Sequence, residues 1–574
     1  MNPKIAILSD SAAPANEGKA ASIAGVYPAT AMLSSEQIAR LIATNLEHML
    51  ALVKEWHTPQ HMAARSLAPR RWSLEVLHRP RSDEDVAKAQ RRLAYDELFL
   101  LQLATQIARR QRAECATAKA LPSSDEIDRR IRARFPFALT GGQERAVREI
   151  SADLAAPRPM NRMLQGDVGC GKTVVALYAA LVAIANKMQV AIMAPTELLA
   201  EQHARSIEKY LAGSRVRHAL LVGGMKAVDR REMVSSIAAG RLDLVVGTHA
   251  LIQDDVQFDR LGLVVIDEQH RFGVRQRATI RNKGNTADGG MGPTPHYLVM
   301  SATPIPRTLA MTVFGDLDVT TIDELPPGRS AIHTRLVTPV MKPPAWEFIR
   351  QRLSAGEQAY VVYPLIDESD KIEAKAATVE FERLRDVEFR GHSLGLLHGR
   401  MSTEDREKVM ADFAAGRIQM LVATTVIEVG IDVANATCMV VEHAERYGLS
   451  QLHQLRGRVG RGSKQGHCLL MTAGAHGVEN ERLSVLVKTT DGFRIAEEDL
   501  RIRGPGEMLG VRQHGLPELR VADLVRDAEI LREAQRDAGD LIREDAQLRK
   551  PECSVIRTAL VAKYGDRLRL MGAG

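Results

Sequence analysis

From about residue 160 to about residue 475 the chain alternates short, wholly apolar runs with longer amphipathic ones. That is the pattern of a parallel sheet with helices on both faces. Apolar runs at 190–194, 242–246, 261–266 and 296–300 predict a first set of strands, and those at 358–363, 393–397, 420–423, 439–442 and 468–471 predict a second. Between the sets stand Leu325-Pro-Pro-Gly-Arg329 and then Lys342-Pro-Pro344, whose prolines and glycine interrupt regular structure and mark a domain boundary. On either side the period becomes helical, for example at 83–109 and 519–547. The expected layout is a mainly helical segment over 1–120, α/β domains at 121–335 and 336–480, and a helical segment over 481–574.

Composition narrows the class without choosing a function. The 574 residues suit about three or four domains. With 45% hydrophobic and 26% charged residues the balance is that of a globular protein, and no apolar run is long enough to span a bilayer. The first 25 residues carry Lys4, Asp10 and Glu17 and hold no sustained apolar stretch, so they do not read as a secretory signal. Five scattered cysteines without C-x-x-C spacing argue for a reducing cytoplasm and against a zinc site or disulfide framework. The net charge is only +6, from 77 basic and 71 acidic residues. Arginines nevertheless cluster: Arg65, Arg70, Arg71, Arg79 and Arg81; then Arg109, Arg110 and Arg112; then Arg129, Arg130, Arg132 and Arg134. Each cluster either tracks phosphates or faces water. Aromatic residues, at 4%, are scarce for a base-stacking platform.

The chemistry concentrates in the two α/β segments. Gly166-Asp-Val-Gly-Cys-Gly-Lys-Thr173 matches G-x-x-x-x-G-K-[ST] between an apolar lead-in at Met163 and Leu164 and a helical run over 174–184. Glycines let such a loop turn its N–H groups toward a phosphate, and the following helix adds its positive end. Lys172 would reach the β- and γ-phosphates, and the Thr173 hydroxyl would ligate Mg2+. About a hundred residues on, an apolar strand ends in Asp267 and Glu268. There Asp267 would hold the cation through water and Glu268 would orient and polarise the attacking water. The next strand ends in Met300-Ser301-Ala302-Thr303-Pro304, where the hydroxyls of Ser301 and Thr303 can link nucleotide state to nucleic-acid contacts. In the second segment, 423–432 follows a buried strand, and 454–462 brings Arg456, Arg458 and Arg461 between glycines. Guanidinium groups so spaced can extend across a cleft toward charge developing on a γ-phosphate. Taken alone, the loop also fits a plain turn, the acidic pair surface decoration, and the arginines a solvated basic loop.

Taken together, these segments resemble superfamily 2 helicases and translocases, and most closely the RecG family of branched-DNA translocases. The distinguishing stretches are Pro136-Phe-Ala-Leu-Thr-Gly-Gly-Gln143, Ala194-Pro-Thr-Glu-Leu-Leu-Ala-Glu-Gln-His203 and 267–277, followed in family order by 301–310, 423–432 and 454–462. Residues 490–507 and 510–515 look like the family's translocation motif, which couples the motor to duplex DNA. The resemblance spans about 26–550. It implies two RecA-like parallel-sheet motor domains in tandem, with a mainly helical N-terminal remnant and a helical C-terminal translocation element. It also implies ATP and Mg2+ as cofactors, double-stranded and branched DNA as partner, no membrane association, and a bacterial cytoplasmic, nucleoid-associated location.

By the same resemblance Gln143 reads the adenine edge, and Gly166, Gly169, Gly171, Lys172 and Thr173 bind triphosphate and metal. Asp267 and Glu268 act in hydrolysis, Gly430 and Asp432 line the cleft from the second domain, and Arg458 and Arg461 are arginine fingers. Arg501, Arg503 and Gln513 are the residues expected to couple hydrolysis to DNA movement. Cys170 and His514 stand where the family often has serine. The family places a barrel-type wedge domain before the motor, whereas here 26–30 and 34–50 look like only its tail and 64–103 like its helical connector. Truncation, a mis-assigned start and a natural short form all fit that front. Two other readings stand beside the branched-DNA translocase. One is a transcription-repair-coupling motor, disfavoured by Asp267-Glu-Gln-His270. The other is a non-catalytic DNA-binding remnant, disfavoured by intact loop, acidic and arginine motifs. Single-strand-binding or repair proteins as further partners are not readable from these residues.

Overall fold

The computed structural model describes residues 4–6, 24–29, 33–115, 117–268, 293–301, 317–327, 331–364, 378–424, 433–462, 464–474, 481–509 and 519–572. These form two compact units. One gathers the described residues before 115 and after 502, and the other holds those from 115 to 502. Among the described residues no helix is long and apolar enough to cross a membrane.

In the first unit, β1 (Lys4–Ala6) pairs antiparallel with β2 (Ala24–Val26). α1 (Ser35–Ala51) starts where the Ser34 hydroxyl and the Gln37 side chain satisfy each other's backbone N–H groups. α2 (Pro59–Ala64), α3 (Arg70–His78) and the 33-residue α4 (Asp83–Cys115) follow.

The second unit contains two sheets. α5 (Asp125–Arg132), α6 (Gly141–Leu154), β3 (Asn161–Gly166), α7 (Lys172–Ala185), β4 (Gln189–Met193), α8 (Glu197–Leu211), β5 (His218–Leu221) and α9 (Ala227–Ala238) lead into β6 (Leu244–Gly247). β7 (Leu261–Asp267), β8 (His296–Ser301) and β9 (Asp318–Ile322) complete a seven-stranded parallel sheet of order β5-β6-β4-β7-β8-β3-β9. α7 is apolar all round and almost wholly buried, as a helix must be when it fills the core against its sheet.

The second sheet runs from β10 (His333–Val337) through α10 (Lys342–Ser354), β11 (Gln358–Val362), β12 (Leu394–Leu397), α11 (Thr403–Ala414) and β13 (Met420–Ala423) to β14 (Ala436–Val441). α12 (Leu449–Arg456), β15 (His467–Met471), α13 (Glu481–Lys488) and α14 (Gly492–Leu509) follow, and the six strands are parallel in order β10-β15-β14-β11-β13-β12. α15 (Ala528–Glu544) and α16 (Ser554–Gly572) return to the first unit.

Every apolar run read as a strand is one, within a few residues at either end. Three of the strands not anticipated, β5, β9 and β10, lie at edges of the two large sheets and alternate or are partly exposed, so they lack a continuous apolar run. β3, inside the first sheet, is anticipated only as the apolar lead-in to the glycine loop, and the short β1–β2 pair is not anticipated. β10 crosses the expected boundary at 335/336 and belongs to the second sheet. The helical expectation over 519–547 holds only from Ala528. Upstream, the N–H groups of Arg520, Val521 and Ala522 donate to Glu97 Oε2 at 2.9, 2.9 and 3.1 Å, so this stretch is held by a distant carboxylate and regular helix starts only at α15.

Several of the clustered arginines are paired with carboxylates of the chain itself. Arg65 grips Asp537 through Nε at 2.8 Å and Nη2 at 2.5 Å. Arg70 pairs with Asp96 at 2.6 Å and lies 3.6 Å from the Trp56 ring centroid. Arg79 pairs with Glu47, Arg81 with Glu75, Arg130 with Glu126, and Arg132 with Asp128 and Glu144. These cations are partnered by carboxylates inside the chain, an outcome that counting charges along a sequence does not separate from phosphate binding.

Candidate functional site

β3 ends at Gly166 and α7 begins at Lys172, so the loop between them emerges at the carboxyl edge of the first sheet, where such sheets bind ligands. Gly169 and Gly171 adopt φ of 79° and 90°, a region that strains any side chain. Gly166 is required for a different reason. A Cβ there would approach Cys170 Sγ to 2.5 Å and the Ile322 carbonyl oxygen to 2.8 Å. The buried Lys172 ammonium donates to the carbonyls of Gly166 at 2.7 Å and Asp167 at 2.9 Å, which hold it over the loop where phosphate oxygens would compete for it. Thr173 follows, half-buried, in the first turn of the helix, whose orphan N–H groups favour an anion.

Gln143 lies against this loop. Its Nε2 donates to the Cys170 carbonyl at 2.9 Å, while its Oε1 accepts the Thr140 N–H at 3.0 Å and completes the cap of α6. Both ends of the amide are therefore committed within the protein, and reading an adenine edge requires exchanging one of these bonds.

Two strands away, β7 delivers Asp267 and Glu268. Glu268 has φ +53°, unusual for a residue with a side chain, and its N–H donates to the Met300 carbonyl at 3.0 Å. The same N–H contacts Asp267 Oδ1 at 3.1 Å, and His203 Nε2 lies 2.8 Å from Asp267 Oδ2. Burial opposes ionisation of Asp267, but the hydrogen bond and charge of His203, with Lys172 nearby, hold its carboxyl below the ordinary range. Ser301 is buried at the end of β8, in register with Gln165 of β3. Since β7, β8 and β3 are neighbours, Asp267, Ser301 and Gly166 share one edge. The Thr173 hydroxyl and Asp267 carboxylate are hard oxygen donors, the set that suits Mg2+.

The second sheet contributes through α12 and the turn after it. Of the three arginines expected to cross toward phosphate, Arg456 is buried and donates instead to the carbonyls of Leu486, Thr489 and Thr490 at 3.0, 2.9 and 3.1 Å. It is a structural anchor. Arg458 and Arg461 remain partly exposed, with Arg461 Nε donating to the Gly457 carbonyl at 3.1 Å. Burial pushes the Tyr360 hydroxyl on β11 up to about 12, and the charges of Arg458 and Arg461 act against that rise. From α12, His453 Nε2 meets Asp167 Oδ1 of the phosphate loop at 2.6 Å. Although burial would raise it, the Asp167 carboxyl is held low by His453, the Val168 N–H and Lys172.

Gly430, Asp432, Thr303, Gln513 and His514 lie outside the described residues, as does the side chain of Arg503 on α14. Arg501 is half-exposed on α14 and donates from Nε to Glu498 at 2.7 Å. The partners His203 and His453 were not singled out from the sequence. His203 closes the quoted stretch from Ala194 and His453 directly precedes the 454–462 stretch, and neither histidine carried a distinguishing signal of its own.

Comparison with known proteins bears on the family and the fold. A family model for DEAD/DEAH box helicases matches residues 140–312 and one for the helicase conserved C-terminal domain matches 345–463. A third, for the C-terminal part of domain 3 of the ATP-dependent DNA helicase RecG, matches 489–563. The chain is 44% identical over 548 residues to the ATP-dependent DNA helicase RecG of Synechocystis, covering 95% of this chain and 65% of that one. It is 46% identical over 491 residues to RecG of Bacillus subtilis, covering 85% and 70%, and 44% identical over 521 residues to RecG of Escherichia coli K12, covering 89% and 74%. The chain thus spans about two thirds to three quarters of the length of these relatives. A solved structure of RecG bound to a three-way DNA junction superposes with a TM-score of 0.69 at 42% identity, over 89% of this chain and 66% of that one. On these grounds the chain belongs to the RecG family of ATP-dependent DNA helicases.

Proposed function

We propose that this chain is an ATP-driven translocase on double-stranded DNA that remodels branched DNA, at replication forks and Holliday junctions, in recombination and repair. The observation that carries the reading is the joining of two half-sites. The loop with Lys172 and the Asp267–Glu268 pair lie on one sheet edge, and the Asp167–His453 contact brings the turn bearing Arg458 and Arg461 to that loop. Mg2+, held by Thr173 and through water by Asp267, would neutralise phosphate charge. In this reading Lys172 grips the transferring phosphate, Glu268 orients water, and the two arginines stabilise charge on the γ-phosphate. Thr303, Gly430, Asp432, Arg501, Arg503 and Gln513 keep the roles that the family resemblance gives them. The solved relative at a three-way junction supports branched DNA as the partner.

The test is ATP hydrolysis with and without linear duplex, and then on a model fork. Duplex should stimulate hydrolysis, and the stimulation should fall as salt rises because the contacts are to phosphates. ATP hydrolysis indifferent to any DNA would refute the reading.

A further inference from the structure

The contact between the phosphate loop and α12 belongs to a chain of hydrogen bonds whose directions can be worked out. A guanidinium has donors only. In the 2.9 Å contact between Arg456 Nη2 and His453 Nδ1, therefore, the arginine donates and Nδ1 accepts. Nδ1 then carries no proton, and the ring proton must sit on Nε2. From there it is donated to Asp167 Oδ1 at 2.6 Å. Arg456 is in turn fixed by its three carbonyl acceptors at Leu486, Thr489 and Thr490. A buried arginine thus selects the tautomer that lets His453 serve as donor to the loop.

A second contact one turn further on sets the same register. A Cβ on Gly457 would lie 2.9 Å from Val168 Cβ, so only glycine admits the loop so close. The Gly457 carbonyl also accepts Arg461 Nε at 3.1 Å. One stretch, 453–461, therefore touches loop residues Asp167 and Val168 and also orients an arginine expected to meet phosphate.

We infer that His453 is a positioning residue. It sets the register of the Arg458–Arg461 turn against the phosphate loop, so that these arginines meet the γ-phosphate of a nucleotide gripped by Lys172. The inference rests on the ATPase reading above and adds to it a residue that need not touch nucleotide itself.

The experiment compares the full chain with His453→Ala, His453→Gln, Asp167→Ala and the Asp167→Ala/His453→Ala double. Glutamine keeps one donor and one acceptor at comparable reach. His453→Ala should lower duplex-stimulated kcat about tenfold while the affinity for a fluorescent ATP analogue changes less than about threefold, since the lost contact acts on the turn and not on ground-state binding. His453→Gln should recover much of that loss, and the double variant should be no slower than the slower single one. A His453→Ala rate within about twofold of wild type, no recovery by glutamine, or multiplying effects in the double would each overturn the inference. Amide exchange over 453–461 adds a readout that needs no hydrolysis. It should quicken when the bond is cut from either side, and unchanged exchange in both single variants would overturn the register. If wild type itself hydrolyses no ATP with duplex DNA, the underlying function fails, and exchange still decides whether the contact sets the turn.

Discussion

Gly171→Ala brings two separable costs together. With φ at +90°, an alanine there is held in the left-handed region at about 1–2 kcal/mol. Its Cβ would also stand 2.2 Å from Gln143 Nε2. The far end of a free glutamine would move aside cheaply, but this one is buried and bonded at both ends, to the Cys170 carbonyl and the Thr140 N–H. Displacing it gives up those bonds in a place without water, about 1–3 kcal/mol more. The sum is about 2–5 kcal/mol, relieved only if the loop leaves the shape that cradles phosphate. If the whole strain is released that way, nucleotide affinity falls roughly 30- to 5,000-fold.

Gly213 offers a matched control, because its φ is +69° yet a Cβ there meets nothing within 4 Å. Gly213→Ala should show only the backbone cost, about 1–2 kcal/mol in urea unfolding, and leave nucleotide affinity alone. The clash also makes Gly171→Ala depend on Gln143. In a Gln143→Ala background the second substitution should add only the backbone term, a coupling of about 1–3 kcal/mol. Titration with a fluorescent ATP analogue gives all four affinities. Equal effects of Gly171→Ala and Gly213→Ala, or the same cost of Gly171→Ala with and without the Gln143 side chain, would refute the reasoning.

Further outcomes follow from the same geometry. Lys172→Ala should abolish hydrolysis, whereas Glu268→Gln should retain ATP binding and lose turnover, as read by steady-state hydrolysis beside analogue binding. Arg458→Ala or Arg461→Ala should lower kcat more than affinity, and a pure affinity loss would contradict their role at the γ-phosphate. His203→Ala removes the partner of Asp267 Oδ2 and should raise the Mg2+ concentration needed for half-maximal nucleotide binding by about tenfold; an unmoved Mg2+ titration would count against it. For pH, burial works against ionisation of Glu55, Glu97 and Asp537, but their arginine, lysine, tyrosine and backbone partners outweigh it, with Glu55 brought down to about 2. Depressed carboxylate pKa values contribute stability above the unfolded value, near 4, and lose it as pH falls through the folded ones. The unit formed by the chain ends should therefore weaken between about pH 4.5 and 2, and the emission of Trp56 and Trp72 should report it. Emission unchanged across that range would contradict these pairings.

The motor core was legible because its strands are buried on both faces and so spell continuous apolar runs. Met420–Ala423 was read to the residue. What escaped was the periphery. β9, Asp-Val-Thr-Thr-Ile, is an edge strand that alternates, and its five residues look like loop until β3 is beside it. The segment before α15 escaped for another reason. Its backbone donors are satisfied by Glu97, some 420 residues away along the chain, and no local pattern encodes a partner that distant.

The site divides along the same physical line. Glycines with left-handed φ, a lysine that must reach phosphate and carboxylates at a strand end are constrained by chemistry that local spacing expresses, so Gly166 to Thr173, Asp267 and Glu268 could be named from their order alone. Arginines could not be sorted that way. Arg456 and Arg458 are two positions apart on one helix end, yet one is buried against three carbonyls and the other stays partly exposed. The difference lies in what α13 and the two threonines after it present to that end, and a repeated arginine does not encode it. The same holds for His453. Its importance comes from standing between an arginine that can only donate and a carboxylate that can only accept, and that requires Asp167, His453 and Arg456 to be placed in space together. Sequence spacing thus singles out the groups proposed to meet the nucleotide, while the groups that hold those in register become visible only when donors and acceptors are paired one by one.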